Sequence, residues 1–410
     1  MIYFWRFDQQ MNSIKETLPD IVNAESMFQH KDDLQTVILK QMIHLANAKN
    51  MFFKCKSVLF IDLGTLPLLK CADKMFFGCE SLKSISFKNL HNLKIACNMF
   101  QDCAVLEYIN IGSLPLLENA ESMFQESGLT DINIRDLSML ENAMYMFKGC
   151  AGLTTIKLKG LSNLTIADSM FKGCYGLQYV EMTNLEKLKS AKELFKGCLS
   201  LKTAKLGSLP LLENAESMFS DCSSMTEVEI SDLLSLNNAT CMFSECSSLA
   251  EINLGKLPSL INATSMFFKC YLLSSVEFEQ LDNLCIAHSM FRICPSLVLL
   301  ELGPTPKLKN LTEAFDQCIN LYTVRFTDLH SLEVANYAFR NCQLMGSIDL
   351  SSAPKLHNCH GMFENCTNLR QVEFDKVTAL ANVKDMFKGC TNFHKEDPFE
   401  ELRNFALAQI

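Results

Sequence analysis

The sequence predicts a repeat solenoid of about 16 coils, each made of one short parallel strand and one compact return. Two observations predict it. Phenylalanine recurs at Phe28, Phe52, Phe76, Phe100, Phe124, Phe147, Phe171, Phe195, Phe219, Phe243, Phe267, Phe291, Phe315, Phe339, Phe363 and Phe387. Every step is 24 residues except the step of 23 between Phe124 and Phe147. The second is the phrase GSLPLLENAESMF, which stands at Gly112–Phe124 and again at Gly207–Phe219. The two copies lie 95 residues apart, four periods less one residue. Self-similarity at a fixed short period means stacked units that bury a core no single unit could make.

Taken in chain order, residues 1–23 precede the regular pattern, and the aromatic run Tyr3, Phe4, Trp5 and Phe7 is expected to close the first coil. Residues 24–392 are the repeats. From Phe52 the unit reads Cys55, Val58, Ile61, Leu63, Leu66, Leu69, Ala72 and Met75. Ile61 and Leu63 alternate with polar residues, as a strand with one buried face requires. From Leu63 onward apolar residues come every third position, which predicts a 3₁₀-like or short helical return. One strand and one such return in 24 residues is the geometry of a right-handed leucine-rich-repeat coil, since paired-helix repeats need about 33–47 residues. Coils about 4.8 Å apart would give sixteen of them a stack of roughly 75 Å. Residues 393–410 are expected to close the last coil.

A slower rhythm overlies the first. Pro19, Pro67, Pro115, Pro210, Pro258, Pro306 and Pro354 occupy one position in alternate units, skipping only Ser162, and Gly64, Gly112, Gly207, Gly255 and Gly303 precede five of them by three residues. The building block is therefore a pair of coils, 48 residues long. Proline has no N–H for a ladder but suits the bend that leaves a strand.

The string A-x-x-M-F-x-x-C-x-x-L-x-x-I-x-L, with Ala-Phe replacing Met-Phe at Ala314–Phe315 and Ala338–Phe339, resembles the BspA-like leucine-rich-repeat surface proteins. The likeness runs from about Ala24 to Cys390. It implies a cell-surface protein that binds another protein, as an adhesin or surface antigen. The amino terminus carries no basic and apolar export signal, and no apolar run reaches the roughly 18 residues of a membrane span. These features point instead to a cytoplasmic scaffold or adaptor of the same fold, so both readings stay open.

The chain is 48% apolar and 20% charged, with net charge −9, which supplies a core and argues against nucleic acid as partner. Of nineteen cysteines, fourteen hold the repeat position from Cys55 to Cys390; the others are Cys71, Cys97, Cys241, Cys285 and Cys359. No C-x-x-C occurs, so free buried thiols are expected rather than disulfides or zinc. His357, Cys359 and His360 form the one clustered His/Cys group, short of a convergent ligand set. No nucleophile elbow, zincin, P-loop or dinucleotide motif is present, so neither catalysis nor a cofactor is expected. Five N-x-[S/T] sequons, at Asn163, Asn238, Asn262, Asn310 and Asn365, would matter only in a secreted protein.

The residues between the buried positions of each strand face outward, on what this fold class makes a concave sheet. Residues 148–205 hold ten Lys/Arg and four Asp/Glu, net +6, while residues 206–305 hold three and twelve, net −9. A basic zone with Lys148, Lys157, Lys172, Lys196 and Lys205 would then adjoin an acidic zone with Glu227, Glu229, Glu251, Glu277 and Glu301. Two explanations stand. The blocks serve solubility after independent drift of the copies, or they form a strip for a protein ligand, with self-association through the opposite zones as a further use.

Overall fold

The computed structural model describes residues 12–374, 377 and 379–393. The described residues hold sixteen strands, and the chain divides into two compact units, residues 1–185 and 186–410. The first unit holds β1 (Ser13–Thr17), β2 (Thr36–Lys40), β3 (Phe60–Thr65), β4 (Ser84–Lys88), β5 (Tyr108–Ser113), β6 (Asp131–Arg135), β7 (Thr155–Leu158) and β8 (Tyr179–Met182). The second holds β9 (Thr203–Ser208), β10 (Glu227–Ser231), β11 (Glu251–Lys256), β12 (Ser275–Gln280), β13 (Leu299–Pro304), β14 (Thr323–Asp328), β15 (Ser347–Asp349) and β16 (Gln371–Glu373). Every strand pair is parallel, with like positions facing like: Val37 meets Ile61 and Ile61 meets Ile85.

The core is a set of files. In the first unit the rings of Phe28, Phe52, Phe76, Phe100, Phe124, Phe147 and Phe171 stack at centroid spacings of 5.0–5.6 Å. In the second unit Phe195 through Phe387 do the same at 5.2–5.6 Å. The Leu, Ala and Met positions form parallel files, nearly all fully buried. Such offset stacking adds to the area each ring removes from water.

The return differs from the sequence expectation. No described residue is helical; the return is a chain of tight turns. The reason is a pair of left-handed residues in each coil, one before the Met and one before the Cys, such as Asn50 (φ 54°) and Lys54 (φ 57°). These residues stop any helix, because left-handed backbone cannot continue a right-handed spiral. Met51 N–H still donates to the Ala48 carbonyl and Cys55 N–H to Phe52, both at 3.1 Å, which keeps the three-residue spacing. The intervening amides turn outward. Those of Ala48, Asn50, Phe52 and Lys54 donate to the carbonyls of Cys71, Asp73, Met75 and Phe77 in the next coil at 2.7–2.9 Å. The return thus links coils by backbone bonds, as a strand does.

The cysteines finish this network. Within each unit the ladder thiols donate to a phenylalanine carbonyl one coil back, as Cys79 does to Phe52 at 3.2 Å, while the Cys55 amide fills that oxygen's other lone pair. All cysteines are free. Burial raises the Cys55 thiol to about 11 and those of Cys150 and Cys318 to about 12, which keeps them protonated donors and poor nucleophiles.

The 48-residue rhythm has a physical basis. Gly64, Gly112, Gly207, Gly255 and Gly303 all have φ between 57° and 79°, and the register of each with the following strand shifts there. A Cβ would meet nothing at Gly64 or Gly112, so conformation rather than space selects glycine. The missing residue after Phe124 is absorbed in a turn. Tyr108 pairs with Asp131 and Ile109 with Ile132, so the strand keeps its faces. At the expected ends, the Phe393 ring stacks on Phe387 at 4.4 Å. Tyr3, Phe4, Trp5, Phe7 and residues 394–410 lie outside the described residues.

Candidate binding face

Inward residues of each strand are committed to the core, so chemistry is left to the outward rows. The parallel register places each outward side chain beside its equivalent one coil away. In the first unit, Lys157 on β7 faces Glu181 on β8 at 3.1 Å. Each shifts the other: Glu181 raises the lysine, and Lys157, helped by the Tyr179 hydroxyl, lowers the carboxyl. The Lys157 ammonium also lies 5.3 Å from the Tyr179 ring centroid.

In the second unit, Lys205 on β9 forms an ion pair with Glu229 on β10. Glu227 on the same strand accepts from the Thr203 hydroxyl at 3.1 Å. Glu277 on β12 accepts from the Asn253 amide at 2.5 Å. Glu301 on β13 is held by Arg325 on β14 at 2.6 Å. Glu251 on β11 pairs in register with Ser275 and has no ion-pair partner among the described residues. The exposed face from β10 to β13 therefore carries Glu227, Glu251 and Glu277 with no ion-pair partner among the described residues, while Lys256 on β11 lines the same concavity as Glu279 on β12. An ion pair borders it on each side, Lys205–Glu229 and Glu301–Arg325.

The structure thus gathers the five predicted glutamates on one face, with Lys205 at its margin. Lys157 lies on a strand of the first unit. Lys148, Lys172 and Lys196 lie elsewhere on the coil, in the return beside the buried phenylalanines. Lys148 sits 5.3 Å from the Tyr145 ring centroid and Lys196 pairs with Glu193 at 3.1 Å. Summing charge over a block of sequence had merged residues from two different faces.

Three further expectations have a place. His357 Nδ1 meets the Lys355 carbonyl, His360 Nδ1 meets that of Lys384, and Cys359 fills a buried alanine position, so the trio does not converge. No group of three or more metal-binding side chains occurs among the described residues. Sequon residues Asn238 and Asn262 use their side-chain oxygens to close turns, accepting from the amide and hydroxyl of Thr240 and Thr264. That turn role belongs to the "NA" letters of the repeat, and sequence reasoning missed it. No helix of the described residues is long and apolar enough to cross a membrane.

With this geometry in view, the family model for the BspA-type leucine-rich repeat region matches residues 24–142, 70–202, 141–272 and 309–404. The chain belongs to the BspA-type leucine-rich-repeat family. No curated protein matches the chain. Among solved structures, a leucine-rich-repeat protein from Bacteroides ovatus is 20% identical with a TM-score of 0.56, covering 83% of this chain and 79% of its own. A leucine-rich cell-surface protein from Faecalibacterium prausnitzii is 16% identical with a TM-score of 0.36, covering 77% of this chain and 79% of its own. The first likeness shows the solenoid fold and nothing beyond it.

Proposed function

We propose that this BspA-type chain is a non-enzymatic protein-binding module whose second unit holds a basic protein surface on its outward strand face. The observation that carries the reading is the row Glu227, Glu251 and Glu277, exposed on neighbouring strands with no cation against any of them. Opposite charges elsewhere on the strand rows meet each other, as Lys157–Glu181 and Arg325–Glu301 do, so an uncompensated row is where an external cation gains most. Such a field chiefly speeds encounter and rejects acidic partners. A role as surface adhesin follows from the family resemblance, and cleavage of the protein by protease added to intact cells is its direct test.

The binding test uses twelve-residue peptides selected by display on the folded protein. Replacing Glu227, Glu251 and Glu277 together by Gln is expected to slow association with the selected peptides about tenfold and to flatten its salt dependence. Association unchanged in rate and salt dependence sinks the reading. Glu229 is left intact because Lys205 already engages it.

A further inference from the structure

A group of exposed side chains beside the carboxylate row belongs neither to the core nor to the charge pattern. Tyr271 and Leu272 follow the buried Cys270. One coil on, Val298 leads into β13 and Leu299 opens it, and Tyr322 leads into β14 in the coil after that. Leu272 is 55% exposed, Val298 51% and Tyr322 63%, although Leu273, Leu297 and Leu321 beside them are wholly buried. The core is therefore filled without these residues.

Their placement follows the coil-to-coil ladder in two rows. Val298 and Tyr322 hold the same position in successive coils, and the Tyr322 amide donates to the Val298 carbonyl at 2.8 Å. The Tyr322 ring lies close to Gly346 in the following coil, 3.9 Å from where a Cβ would stand. Tyr271 is one coil from Pro295 at the same position, and Pro295 one coil from Ile319, which is also exposed. By contrast Tyr108 in the first unit, equally exposed, has Asp131 beside it in register. On β13, Leu299 and Glu301 are both outward, two residues and therefore about 7 Å apart on one face. Glu277 stands on the adjacent strand in sequence, beside the same strip.

We infer that this strip, where β12, β13 and β14 begin, is the anchor of the binding face. Its occupant is a segment of a protein partner that sets aliphatic or aromatic side chains beside Lys or Arg. The inference rests on the proposed function and deepens it by separating two roles. Aromatic and aliphatic anchors in a desolvated patch hold a complex together and govern its dissociation. The carboxylates alongside bring the cations in and fix which way round the segment lies. An anionic lipid surface is repelled by that row. A second copy of the chain would have to bring one of its basic stretches rather than this acidic one.

The peptides selected above are the probe. They are expected to combine Leu, Ile, Phe or Trp with Lys or Arg. Replacing Leu272, Leu299 and Tyr322 together by Ser is expected to raise the dissociation rate about tenfold or more while leaving the salt dependence of association unchanged. Tyr322→Ser alone, which disturbs less, is expected to raise it about fivefold. Both variants should keep the wild-type far-UV spectrum and melting temperature, since none of the three residues is buried. Equal residence on the variants and the wild type overturns the anchor. If the glutamine variant still slows association in that case, the proposed function survives it; if neither set matters, both fail. Wild-type dimers in sedimentation that the serine variant dissolves would place a second copy on the strip and overturn the inference too.

Discussion

Among single residues Asp316 stands apart, because its side chain is wholly buried yet charged. It follows Phe315 in its coil, and Arg292 and Arg340 hold the equivalent position one coil before and one after. Arg292 Nε donates to it at 3.1 Å, Arg340 Nε and Nη2 at 2.9 and 2.8 Å, and Asn341 at 3.3 Å. Burial alone would raise this carboxyl, but the two guanidiniums and the Gln317 amide outweigh it and hold the group below its usual range. A carboxyl lowered on folding stabilises the native state above its unfolded value near 4, and that contribution is lost as pH falls through the lower folded value. Asp316→Asn is therefore expected to cost about 3 kcal/mol at pH 7, read by urea unfolding, with the gap to wild type narrowing towards pH 3. A variant equal to wild type at pH 7 would contradict the clamp. None of this shows in sequence until residues 24 apart are compared. The same comparison reveals Lys157 with Glu181 and Lys205 with Glu229. The outward placement of the glutamates was readable because strand alternation fixes which residues face outward; the partners of some of them come from the neighbouring coil and show only when positions 24 apart are set side by side.

At the scale of the element, strand and return were unequally readable. A period of two admits one reading, whereas a period of three is shared by 3₁₀ helix and by successive tight turns. What separates them is positive φ, and the positions that adopt it carry Asn50, Lys54, Tyr145 and even Ile293, types that announce nothing by themselves. The column before the cysteine does hold Gly78, Gly149, Gly173, Gly197 and Gly389, the one available signal. Where the short coil lacks a residue, Ser127 takes the cysteine position and Gly128 packs so tightly that a Cβ would stand 2.3 Å from the Ala104 carbonyl oxygen. Gly128→Ala should destabilise the first unit by about 1–3 kcal/mol, since backbone rather than a flexible side chain must yield. An unchanged unfolding midpoint would show that the turn opens more easily than this geometry allows.

For the molecule as a whole, stability is a sum over coils and the contacts between successive coils. The bulge glycines make that sum depend on pairs, because a coil such as that of Gly255 is shaped to receive the plain strand after it. Removing residues 232–279, one 48-residue pair, should leave a cooperative transition and a strand-rich spectrum. Removing residues 256–279 alone sets the bulged β11 beside the bulged β13, and a melting temperature several degrees below that of the longer deletion is expected. Equal melting temperatures would mean the pair has no energetic meaning.

Within each unit the outward amides of the returns point the same way along the chain, from one coil to the carbonyls of the next. The wiring is one-way. Each unit therefore has a direction built into its returns, and a coil turned end for end would set donors against donors and acceptors against acceptors.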